Sequence, residues 1–186
     1  PSDVRVWSFQ DAPQDFHATF SASSKTYVYR LHYGRNAPDP LERFYRFQLP
    51  SGWAKEFSTD LLRQAAGRFV GQKDFAHFTQ TGKLDNYRTT GTVRTIHDTN
   101  VVEEGPGQCR VEVNLDGALF RMVRNIVGCA VTAACGRLAL GKIDDLLQVS
   151  PDKAKQDASL PSANFPCLPP HGLCLEKVHY DDSSDF

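Results

Sequence analysis

No stretch of this chain stays apolar for the roughly 20 residues that a membrane-crossing helix requires, and no secretory leader opens it. A membrane partner is therefore not expected. Neither sign of charge dominates: 21 lysines and arginines face 22 aspartates and glutamates, a net charge of -1. No global field draws in a polyanion, so any nucleic-acid binding must gather its basic residues on one face. The five cysteines (Cys109, Cys129, Cys135, Cys167, Cys174) form no CxxC pair. That argues against a zinc or disulfide framework and predicts reduced thiols in an intracellular protein, with cytoplasm, nucleus and organelle undistinguished. The six histidines lack metal-ligand spacing. No phosphate-cradling glycine loop, GxSxG elbow or base-flanked cysteine occurs either. Metal and cofactor chemistry are thus not expected, and no internal repeat is present. The first residue is Pro1, so the chain is expected to be processed or to start partway into a longer protein.

What is present is a mixture of strand and helix patterns. "DVRVWSF" alternates like a strand, and "SSKTYVYRLHYG" does so more clearly, with Tyr27, Tyr29, Leu31 and Tyr33 on one face. "RNAPDPLE" predicts a loop and "RFYRFQLP" extended structure up to Pro50. Ser58 or Thr59 can cap a helix over "DLLRQAAGRFV", ended by Gly71. Phe75 and Phe78 of "KDFAHF" are expected in the core. "TVRTIHDTNVV" and "CRVEVNLDG" read as antiparallel strands joined by the turn residues "EEGPGQ". A helix is predicted from about Leu119 to Cys135, stopping at Gly136, and a shorter one over "KIDDLLQVS". Residues 151–170 read as a surface loop, "GLCLEKVHY" as a closing strand, and 181–186 as a frayed tail. The sum is a single α+β domain over residues 1–186: a mixed, mainly antiparallel sheet with helices packed on one face.

One residue stands out. In "LFRMVRNIVGCAV", at about 100° per residue, Phe120, Arg124, Val127 and Val131 share a stripe, which places Arg124 near the centre of an apolar face. A guanidinium stays charged, and burying it alone costs several kcal/mol, so an anionic partner is expected. On the residues alone, Arg124 fits a structural ion pair or a functional site, and the tyrosines fit sheet packing or an active site.

The segments "PSDVRV", "DFHATFSASSKTYVYRL", "GQKDFAHF", "VRTI", "FRMVRNIVG" and "PPHGLCLEKVHY" resemble, in order and spacing, the tRNA pseudouridine synthases of the TruA type. The resemblance covers nearly the whole chain. Thr19 departs from it, standing where the family carries an arginine. It implies isomerisation of uridine to pseudouridine in tRNA, in the anticodon arm, by an essential aspartate and without metal or cofactor. It also implies an active-site tyrosine at Tyr27, an arginine pairing with the aspartate at Arg124, and an apolar residue beneath the base at Leu173. The family's aspartate lies in "GRTDxGVHA", in an N-terminal half that this sequence does not contain. The chain is accordingly expected to be the C-terminal half of the catalytic domain, inactive alone and partnered by tRNA and the missing half. A homodimer and a monomer both stay open. The alternative is a non-catalytic RNA-binding module. Either would use Lys25, Lys83, Arg88, Arg94 and Arg121 as phosphate contacts.

Overall fold

The computed structural model describes residues 2–9, 11–34, 39–79, 91–148 and 164–180. Its element order is β1 (Ala22–His32), β2 (Phe47–Gln48), α1 (Ser51–Ala54), α2 (Thr59–Gly67), β3 (Gly71–Asp74), β4 (Val93–Gly105), β5 (Gln108–Leu115), α3 (Met122–Ala134), α4 (Leu140–Gln148) and β6 (Leu173–Tyr180). The sheet runs β2-β1-β5-β4-β3, and β6 also pairs with β1. The β1–β2 pair is parallel and the remaining pairs are antiparallel. This is the expected mixed, mainly antiparallel α+β arrangement.

Alternation assigns the faces. Tyr29 and Leu31 of β1 stand opposite Val111 and Cys109 of β5, and all four are buried in the core with Ile96 of β4. The helices supply the other half of that core: Leu62 and Ala65 from α2, Ile126 and Ala130 from α3, Ile143 and Leu146 from α4. Helix α2 starts where its cap residue predicts, the Ser58 hydroxyl accepting from the Leu61 N–H at 3.3 Å.

The other sheet face carries charge. Arg30 and Arg110 stand directly opposite each other, a repulsive cross-strand pair. Glu104 resolves it, lying 3.6 Å from Arg30 Nε, 3.0 Å from Arg110 Nη1 and 2.8 Å from Arg46 Nη2. Burial alone would raise the Glu104 pKa. The bonds from Arg110 and Arg46 outweigh that and hold its carboxyl below the usual range.

Three expectations change. "DVRVWSF" forms no strand; Val4, Val6, Trp7 and Phe9 are exposed, because no neighbouring strand among the described residues takes up their hydrogen bonds. "RFYRFQLP" is extended only at Phe47–Gln48, after a 3-10 turn over Pro40–Phe44 that Asp39 caps through the Leu41 N–H. Helix α3 starts at Met122, so Phe120 precedes it and is 41 % exposed instead of lying on a buried stripe.

Candidate active site

Helix α3 is wrapped on nearly every side. Twelve of its thirteen residues are buried, and Arg124 is the exception. The expected position of Arg124 at the centre of an apolar face is thereby corrected. A helix apolar all round has no single inward stripe, and Arg124 marks the place where its cover opens. That cover is the segment just before β6. Phe165 stacks on Phe78 with ring centroids 5.3 Å apart, and Leu168 is buried. Of the stretch expected as a surface loop, Phe165 and Leu168 thus pack on the core while Asn164, Pro166, Cys167 and Pro170 are exposed; 149–163 and the expected tail at 181–186 lie outside the described residues.

Two glycines make this packing possible. A Cβ on Gly128 of α3 would sit 2.0 Å from the Pro166 carbonyl oxygen, so only a glycine lets that segment cross the helix there. A Cβ on Gly172 would sit 2.7 Å from the Tyr29 ring. The Tyr29 hydroxyl donates to the Pro169 carbonyl at 2.7 Å, and burial keeps it protonated by raising its pKa, against the opposing charge of Arg124. Gly172 and Tyr29 together set the entry of Leu173 into β6, where it pairs with Tyr29.

Arg124 Nε donates to the Leu168 carbonyl at 2.5 Å, which fixes the side chain to the same segment. Among the described residues no carboxylate forms an ion pair with it. A single carbonyl leaves most of the guanidinium's donor capacity unused.

At this opening lies a cleft of about 430 Å³. Tyr27, Leu173 and Arg124 line it, together with Phe120, Arg121 and Val123. Tyr27 is half-buried, and burial raises its hydroxyl pKa. The three residues assigned to the active site by resemblance come from positions 27, 124 and 173, and the fold brings them to one place.

Arg121, expected as a phosphate contact, also lines the cleft. Lys25 and Arg94 do not. Lys25 pairs with Leu115 and Val178 in the sheet, and Arg94 on β4 donates to the Val93 carbonyl at 2.6 Å. Lys83 and Arg88 lie outside the described residues. Sequence reasoning missed Phe120 as a wall of the cleft and Gly172 as the close contact that seats Leu173. Tyr29, one of the strand tyrosines that fit either packing or an active site, is buried behind the cleft. The glycine between two prolines and a strand in "PPHGL" is the signal that could have pointed to a close approach. No group of three or more His, Cys, Asp or Glu residues able to hold a metal occurs among the described residues.

Residues 65–181, which include α3, the cleft's Leu119–Arg124 wall and β6, match the sequence model of the tRNA pseudouridine synthases. The chain belongs to that family. It is 32 % identical over 180 residues to tRNA pseudouridine synthase A 2 of Clostridium perfringens, an alignment covering 97 % of this chain and 66 % of that protein. It is 30 % identical to tRNA pseudouridine synthase A 1 of Protochlamydia amoebophila, covering 99 % of this chain and 66 % of the relative. It is 32 % identical to tRNA pseudouridine synthase A of Methylacidiphilum infernorum, with 97 % and 64 % covered. The chain therefore spans slightly less than two thirds of the length of these curated pseudouridine synthases.

Proposed function

We propose that this chain is the C-terminal portion of an intracellular tRNA pseudouridine synthase and that its cleft receives the target uridine. The carrying observation is the convergence of Tyr27, Arg124 and Leu173 on one opening of about 430 Å³. A base inside a folded RNA must leave its stack to be reached. Leu173 then offers an apolar floor and Tyr27 a ring to stack against. Arg124 receives the catalytic aspartate, supplied by polypeptide beyond this chain, and keeps it ionised for attack at the ribose or for action as a base. The glycosidic C–N bond breaks, the uracil turns, and a C–C bond forms through C5 as the C5 proton departs.

Two observations support the division of labour: the matched region is only 66 % of each relative's length, which leaves about a third of the relatives outside it, and Arg124 holds a backbone carbonyl where an enzyme needs an anion. On this reading the missing portion is also the partner for the exposed apolar residues Val4, Val6, Trp7 and Phe9.

The test is release of tritium from tRNA labelled at uridine C5, run with this chain and with the complete gene product. Release by the complete product alone is expected. Release by this chain would place the carboxylate within residues 1–186. Release by neither, with tRNA still bound, would favour the non-catalytic RNA-binding module.

A further inference from the structure

The turn that leads into α3 is held in an unusual shape. Arg121 has φ 61° and ψ 7°, the one non-glycine residue with positive φ among the described residues. A side chain in this left-handed region costs on the order of 1–2 kcal/mol, so its surroundings must enforce it. They do so by three hydrogen bonds. The Thr79 hydroxyl donates to the Phe120 carbonyl at 3.1 Å, the Met122 N–H to the Leu119 carbonyl at 3.1 Å, and the Asn125 N–H to the Arg121 carbonyl at 3.0 Å.

The consequence is the placement of Phe120. An unstrained continuation of the helix would turn residue 120 onto the stripe of Arg124 and Val127. The left-handed turn instead leaves the phenyl ring at the wall of the cleft, 41 % exposed, with the Arg121 guanidinium 5.1 Å from the ring centroid. An aromatic face beside a cation is the arrangement that binds single-stranded nucleic acid, the ring stacking on a base and the cation meeting its phosphate.

We propose that Phe120 is a stacking platform for the nucleotide adjacent to the target uridine, with Arg121 contacting the phosphate between them. This rests on the cleft being the uridine site and adds what the flanking base does once the target has left the stack. Stacking is tolerant of base identity, because every base has a π face. The platform therefore lets one cleft accept uridines with different neighbours.

The experiment uses the complete gene product and a tRNA stem-loop carrying 2-aminopurine on either side of the target uridine. Wild-type protein should quench the 2-aminopurine at one flank. Phe120→Leu should abolish that quenching and weaken stem-loop binding about 5- to 150-fold, the range for losing one stacked base. Phe120→Tyr and Phe120→Trp should restore both, which a merely structural position would not do. Unchanged quenching and binding within two-fold in a folded Phe120→Leu protein would overturn the proposal. So would failure of both aromatic variants to restore them. A wild-type protein that releases no tritium from tRNA would instead overturn the reading of the cleft itself.

Discussion

Gly128→Ala is the substitution on which the architecture of the site can be tested most directly. In an ordinary helix interior, replacing glycine by alanine stabilises by about 1 kcal/mol. Here the new methyl would stand 2.0 Å from the Pro166 carbonyl oxygen, closer than Cβ atoms come to other atoms, and a tight 3.2 Å from its carbon. The segment must retreat, and what it carries retreats with it. Leu168 is 2 % exposed, a burial of roughly 1.5–3 kcal/mol. Its carbonyl accepts the charged Arg124 Nε–H, a bond of about 1.5–3 kcal/mol. Losing most of both and gaining the propensity leaves a net destabilisation of about 2–4 kcal/mol. Urea denaturation followed by circular dichroism measures it. Leu168→Ala in the same background should add less than its separate cost, because both changes loosen one contact. A Gly128→Ala protein as stable as the parent, or more stable, would refute the packing of residues 165–168 across α3.

Arg124→Lys keeps the charge but loses the planar fork that can hold Leu168 and a carboxylate together. In the complete gene product, tritium release should fall about 100-fold or more, with folding intact. Glu104→Gln should destabilise by about 2–3 kcal/mol at neutral pH, since Arg30, Arg46 and Arg110 would lose their shared anion. The Glu104 carboxyl is held below its ordinary value. Its contribution is therefore present above the unfolded-state carboxylate pKa of about 4.3 and disappears as pH falls through the lower folded value. The gap between wild type and variant in denaturation midpoint should close in acid. Burial pushes the thiols of Cys109 and Cys129 up to about 12 and that of Cys135 to about 11, whereas Cys167 and Cys174 are exposed. A thiol reagent at pH 8 should label two cysteines quickly and all five after unfolding.

Much of this protein is legible in its residues. Alternation over "SSKTYVYRLHYG" gives β1, Ser58 gives the start of α2, and "EEGPGQ" contains the turn, Pro106–Gly107, that joins β4 to β5. These are local effects of side-chain period and backbone capping, and a short window contains them. The motif "MVRNIVG" and its resemblance to a known family point to Arg124 before any coordinate is known.

Other features depend on contacts between distant segments. The pattern in "DVRVWSF" fails as a strand because hydrogen bonding needs a neighbour, and alternation says nothing about whether one exists. Phe120 looks like a core residue on a helical wheel, yet a left-handed turn enforced from Thr79, 41 residues earlier, turns it toward the cleft. Gly128 owes its place in α3 to the Pro166 carbonyl that crosses the helix against it. Arg124 poses its question in the sequence, but only the fold shows α3 covered on nearly every side and opening there. Composition and period act over a few residues, whereas a cleft is made where residues 27, 124 and 173 meet, and their meeting is a property of the tertiary structure alone.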